Sequence, residues 1–112
     1  MIDDLQEISY TSLEWLRDRY KSVLKDFKYT DYYDEIFLEK FIIHENKRGL
    51  GHGSNFMNDL CFFADKNKKI ITLIPSEELG TSIKTLESFY KRFGFRYCIE
   101  TYNNHIMIRE TI

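Results

Sequence analysis

The stretch Tyr33-Asp34-Glu35-Ile36-Phe37-Leu38-Glu39-Lys40-Phe41-Ile42-Ile43-His44, followed by Glu45-Asn46-Lys47-Arg48-Gly49-Leu50-Gly51-His52-Gly53-Ser54, sets the fold of this chain. In residues 33–44, Tyr33, Ile36, Phe37, Leu38, Phe41, Ile42 and Ile43 are dense in β-formers with few breaks. Such a run predicts a strand buried on both faces. Beyond the glycines, residues 54–66 return to helical spacing, with Phe56, Met57, Leu60, Cys61, Phe63 and Ala64 on one broad face. Strand, glycine loop and helix together make an anion site. The helix start offers unpaired backbone N–H groups and the positive end of its dipole. Glycines at 49, 51 and 53 let the backbone approach a phosphate without side-chain obstruction. A pyrophosphate is the natural ligand. No Lys-Ser or Lys-Thr follows the glycines, so the P-loop signature is missing. Glycines at every second position, with no acidic residue closing a following strand, also depart from the dinucleotide fingerprint.

Working outward, residues 11–28 predict an amphipathic helix with Leu13, Leu16, Tyr20, Val23, Leu24 and Phe27 on one stripe. Thr11 and Glu14 have the spacing of a capping box, and Leu5 to Tyr10 reads as a short strand. Ile70 to Ile74 reads as a buried strand ended by Pro75. Residues 82–93 predict a helix carrying Ile83, Leu86, Phe89, Tyr90 and Phe93, stopped by Gly94. Phe95–Ile99 and Ile106–Arg109 read as a hairpin around Tyr102-Asn103-Asn104. Strands alternating with helices, then a closing hairpin, imply one α/β domain over residues 1–112. Its sheet is expected to be mixed, parallel in the middle and antiparallel at the end.

The chain has 112 residues, enough for one hydrophobic core, and its 9 Phe and 8 Tyr must build much of it. A net charge of -2 gives no support to a nucleic-acid partner. No stretch approaches the roughly 18 apolar residues of a membrane span. Met1-Ile2-Asp3-Asp4 begins acidic and lacks an apolar signal core, so a cytoplasmic protein is expected. Cys61 and Cys98 sit in apolar runs without a CxxC spacing and read as reduced thiols. His44, His52 and His105 lack metal-like spacing, and no metal is expected.

Three segments resemble the GNAT family of acetyltransferases. Arg48-Gly49-Leu50-Gly51-His52-Gly53 is similar to the family's acetyl-CoA motif: Gln or Arg, two residues, Gly, one residue, then Gly or Ala. Ile43 stands where the preceding strand usually has a valine. Phe89-Tyr90-Lys91-Arg92-Phe93-Gly94-Phe95 is similar to a downstream family segment, and Ile106-Met107-Ile108-Arg109 to its closing strand. The resemblance covers residues 36–109 and is nearest to short members, several of them phage-encoded. Two departures stand out: the N-terminal part is short, and Ile83 replaces an Asn common in the helix before the tyrosine.

The resemblance implies a mixed α/β (α+β) sheet of the GNAT type with a shortened N-terminal half. It implies an N-acetyltransferase that moves an acetyl group from acetyl-CoA to a primary amine. The backbone of Phe41, Ile42 and Ile43 then holds the pantetheine. The phosphates fall on Arg48, Gly49, Leu50, Gly51, His52, Gly53 and Ser54, with the His52 side chain pointing away. Tyr90 takes the place of the family's general acid. Glu39 is the first candidate base, placed by strand alternation on the face of Phe41. His44 and Glu45 are alternatives, and Phe37 stands where some members carry the base. Tyr29, Asp31, Tyr32, Tyr33, Asp34 and Glu35 form an aromatic, acidic group suited to a cationic amine. The expected acceptor is a protein lysine or N-terminus, or a polyamine-like molecule, on a monomer or homodimer. The competing expectation is a non-catalytic or inhibitory GNAT-like module, with or without bound CoA, that binds another protein.

Overall fold

The computed structural model of the chain describes residues 12–77, 81–98 and 105–111. A short helix α1 (Glu14–Arg19) leads into β1 (Leu24–Asp31), β2 (Glu35–Ile43) and a single 3-10 turn (Glu45–Lys47). Then follow α2 (His52–Lys66), β3 (Ile70–Leu73), α3 (Ile83–Lys91), β4 (Arg96–Tyr97) and β5 (Met107–Arg109). The strands form one sheet in the order β1-β2-β3-β5-β4. Only β2 and β3 run parallel; the other neighbouring pairs are antiparallel. The mixed sheet and its closing hairpin are as expected. The strand over Leu5–Tyr10, Thr11 of the capping box, Ile99 and the turn 102–104 lie outside the described residues.

The helix expected over 11–28 stops at Arg19, and residues 24–31 are a strand. Val23, Leu24 and Phe27 continue the helical spacing, yet the chain turns there. The N–H groups of Val23 and Leu24 both donate to the Tyr20 carbonyl, at 3.0 and 2.9 Å. Seven residues of β1 then pair with β2. Without β1, that flank of β2 is a bare edge, and closing a ladder outweighs local helix propensity. The strand expected at 33–44 is present as 35–43, but it is not buried on both faces: Ile36, Leu38 and Ile43 are buried, while Glu39 and Lys40 are exposed.

A bulge breaks β2. Lys28 pairs with Lys40 and the next residue, Tyr29, with Leu38, so Glu39 is the extra residue. The bulge changes the phase of alternation. Ile36 and Leu38 before it, and Phe41 and Ile43 after it, share the face of Phe27 and Tyr29.

That face packs on α2. Phe56, Met57, Leu60, Cys61, Phe63 and Ala64 are all buried, the set expected from their spacing. Phe56 stacks on Phe41 with centroids 4.5 Å apart and takes edge contacts from Phe27 and Tyr20. Leu13 and Leu16 of the α1 region complete this layer. At the far end of α2, Asp65 accepts from both Nη atoms of buried Arg109 at 2.9 Å. Arg109 Nε donates to the Phe93 carbonyl at 2.8 Å.

Candidate active site

The parallel pair β2–β3 separates part-way along. Its last paired residues are Leu38 and Leu73, whereas β1 stays paired with β2 up to Ile43. Pro75 lies two residues past the end of β3 and has no N–H with which to extend a ladder. The backbone of Glu39–Ile43 therefore keeps one free edge, and that edge faces a cleft of about 500 Å³. Thr85, Leu86, Phe89 and Tyr90 of α3 form the facing wall.

The glycine loop closes one end of this cleft. Gly51 has φ 86°, a left-handed conformation that turns the chain into α2 and that other residues adopt at a cost. As the N-cap it has no side chain to offer. The first amides of α2, at His52, Gly53 and Ser54, have no acceptor inside the helix. Arg48 ties the loop to the strand end, its Nε donating to the Ile43 carbonyl at 3.1 Å. Lys40, Lys47, Arg48 and Arg92 also line the cleft, against Glu39 as the one carboxylate among the described residues. This charge balance, with a helix start at the end of the cleft, suits a polyanion.

The site residues expected from sequence largely meet here. Glu39, Phe41, Ile42, Ile43, Arg48, Gly49, Gly51, His52, Gly53, Ser54 and Tyr90 all line the cleft. Leu50 does not; it turns outward and is 66% exposed. Tyr90 is buried, its ring packed against Phe89 and Phe95, with centroids at 5.3 and 5.5 Å. Its hydroxyl has no hydrogen-bond partner among the described residues. Burial pushes its pKa up to about 12. Glu39 is exposed at the bulge. The alternation that placed it on the face of Phe41 fails, because the phase change gives that place to Leu38. Phe37, His44 and Glu45 are not part of the cleft wall.

The acidic aromatic group expected to receive the amine lies elsewhere. Tyr32, Tyr33 and Asp34 form the β1–β2 turn, at the opposite end of β2 from the loop. At about 3.3 Å per residue, Asp34 is about 16 Å along the strand from Glu39. Several polar atoms of the group serve the fold: Tyr29 donates to Glu14, Asp31 accepts from Lys69, and Glu35 accepts from Thr72 at 2.6 Å. Of the α3 wall only Tyr90 was expected in the site; Thr85, Leu86 and Phe89 were missed. Its apolar residues read as core, and their half-burial is visible only once the strands part.

Cys61 is buried in α2, where burial pushes its thiol up to about 11, a value suited to packing and not to nucleophilic attack. Among the described residues no group of His, Cys, Asp and Glu is arranged to hold a metal ion. No helix among them is long and apolar enough to cross a membrane.

No family model matches the sequence, and no curated protein matches it. Solved structures do match. The chain is similar to the anti-CRISPR protein AcrVA5 with a TM-score of 0.63 and 19% identity, over 78% of this chain and 90% of that one. It is similar to Ard1 from Thermoplasma volcanium with a TM-score of 0.60 and 16% identity, over 89% and 78% of the two chains. A GNAT-family protein from Bacteroides thetaiotaomicron gives a TM-score of 0.60 and 20% identity, over 90% and 70%. The fold is that of the GNAT acetyltransferases. The loop before α2 is the feature that the sequence pattern marked; the backbone beside the gap between β2 and β3, Phe41–Ile43, is the segment that the resemblance implied for the pantetheine. The identities are low, so the likeness is one of architecture.

Proposed function

We propose that the chain is an N-acetyltransferase moving an acetyl group from acetyl-CoA to a primary amine. The observation that carries this is the opening of the sheet after Leu38 and Leu73, with the free edge of Glu39–Ile43 facing a cleft that ends on an uncapped helix. The residues fit the donor. A pantetheine arm is a chain of amides and methylenes, and an open strand edge pairs with amides as it pairs with another strand. The amides of His52, Gly53 and Ser54, with Lys47 and Arg48, suit the phosphates. Bound acetyl-CoA supplies the activated acyl group.

The protein's own groups then manage protons. Tyr90 keeps its proton through the physiological range, because burial holds its pKa at about 12. Its hydroxyl donates a hydrogen bond as charge builds on the departing sulfur. A free thiol, at about 8.5, is the stronger acid. The proton finally held by sulfur therefore comes from the attacking amine through solvent, and Tyr90 lowers the cost of the charge meanwhile. Glu39, the cleft's carboxylate among the described residues, takes that proton from the amine and releases it to the solvent that delivers one to sulfur, so the carboxylate is restored in each turnover. Glu39→Gln is expected to lower kcat/KM about a hundredfold near neutrality. Wild-type kcat/KM in that variant removes Glu39 from the mechanism.

The acceptor is a primary amine: a protein lysine or N-terminus, or a small polyamine-like molecule. The second reading is a non-catalytic or inhibitory module on the same fold that binds another protein, with or without bound CoA. The uncapped loop and the unpartnered Tyr90 hydroxyl favour catalysis, since binding alone requires neither.

The deciding experiment is thermal stabilisation by acetyl-CoA. Ligand at a hundred times its Kd adds about 2.7 kcal/mol to the folded state. A clear rise in the midpoint is expected for the wild type and none for Gly51→Asp. A carbon added at Gly51 meets no atom within 4 Å, so the variant folds with modest backbone strain while placing a carboxylate among the phosphates. No rise in the wild type moves the function to the inhibitor.

A further inference from the structure

We propose that Phe89 and Phe41 form an aromatic clamp at Gly53 that positions the linear arm of the acyl-CoA between the phosphate loop and the reaction centre. The clamp presupposes the acyl-CoA site proposed above and assigns Phe89 as a positioning residue within it.

The cleft has two chemically distinct ends. One is the α2 start with Arg48 and Ser54; the other is the parting of the strands with Glu39. Gly53, in the first turn of α2, lines the same cleft. A carbon added at Gly53 meets Phe89 Cζ at 3.6 Å and Phe41 Cζ at 3.8 Å. Two rings, one from the α3 wall and one from the β2 wall, therefore converge on one point of the first turn of α2.

The two rings are held differently. Phe41 is fixed, stacked at 14° on Phe56, which is wholly buried. Phe89 is half-buried, on a helix whose single buried residue is Tyr90. Its neighbours are the rings of Tyr90 and Phe93 and the Arg92 guanidinium, 5.3 Å from its centroid. Leu86 and Phe89 thus turn a partly wet apolar face to the cleft. An arm of methyl and methylene groups laid there removes that surface from water, which favours binding. The phosphate loop offers no such contact, so the arm and the nucleotide head are recognised by separate parts of the site.

Affinities for acetyl-CoA and for adenosine 3′,5′-bisphosphate, a head without the arm, test this by calorimetry in wild type, Phe89→Ala and Phe89→Leu. The wild type is expected to bind acetyl-CoA more tightly than the head. Phe89→Ala is expected to weaken acetyl-CoA about tenfold and leave the head within about twofold. Phe89→Leu, which restores apolar bulk, is expected to recover most of the loss. Thermal midpoints and circular dichroism of the three proteins report folding. If Phe89→Ala weakens both ligands equally, or neither, or if the leucine rescues nothing, the clamp is wrong while the donor site stands. If the wild type binds neither ligand, the acyl-CoA site and the clamp fall together.

Discussion

Tyr90→Phe is expected to lower kcat about a hundredfold while acetyl-CoA affinity stays within about twofold. The substitution keeps the ring that packs on Phe89 and Phe95 and deletes only the hydroxyl. That hydroxyl contributes when charge appears on sulfur, so its loss falls on the transition state and leaves ground-state binding alone. Turnover equal to wild type removes Tyr90 from the mechanism. The same variant carries a second signature. The phenol has a pKa of about 12 in the folded protein against an ordinary value of 10, so the native state holds its proton more tightly. Its contribution to stability is complete below pH 10 and is lost as pH climbs from 10 to 12. Two units correspond to about 2–3 kcal/mol at full loss. Burial and carboxylate partners push Tyr20 and Tyr29 up to about 12 as well, so the wild type weakens further for those reasons. Urea unfolding between pH 8 and 11 should therefore fall less steeply in Tyr90→Phe than in wild type. Equal slopes mean that the native hydroxyl is as well solvated as an unfolded one.

Much of the site is legible in the sequence because it depends on local rules. The glycine at 51 and the helical face Phe56–Ala64 each follow from chain geometry, and both stand where their residues point. The missed elements depend on partners distant in sequence. Val23, Leu24 and Phe27 satisfy helical spacing, and only the pairing with β2 makes them strand. The bulge has a trace in the sequence: Ile36 and Leu38 alternate in one phase, Phe41 and Ile43 in the other, with Glu39-Lys40 between. Recognised as a phase change, it marks where β2 leaves β3 and the candidate cleft opens. Tyr32, Tyr33 and Asp34 adjoin β2 in sequence, but a strand is long, and its two ends serve different surfaces. The α3 stripe is apolar for a cleft, and spacing alone does not separate a cleft wall from a core.

Asp65→Ala is expected to destabilise the protein by about 3 kcal/mol, and to lower its midpoint by roughly 12–15 °C. The carboxylate stands in the last turn of α2, where the helix dipole disfavours an anion, and its place there is accounted for by Arg109. Arg109 is 6% exposed, its two Nη atoms donate to both Asp65 oxygens and its Nε to the Phe93 carbonyl. Gly94, at φ 94° and packed beside the Arg109 side chain, turns the chain directly after Phe93. Removing Asp65 leaves a buried cation with a single carbonyl, which is why the loss exceeds that of a surface pair. The loss sits near the low end of the range because the Asp65 side chain is 27% exposed and water can reach the gap. Arg109→Met removes the cation itself, so the double variant Asp65→Ala/Arg109→Met should be more stable than Asp65→Ala alone. If the double variant is the weaker of the two, the bonds to Phe93 and Asp65 matter more than the uncompensated charge. The pair joins α2, β5 and the turn after α3 without lining the cleft. Below its lowered midpoint, Asp65→Ala should therefore bind acetyl-CoA as the wild type does. Weakened binding in the folded variant instead means that this junction sets the width of the cleft through α3.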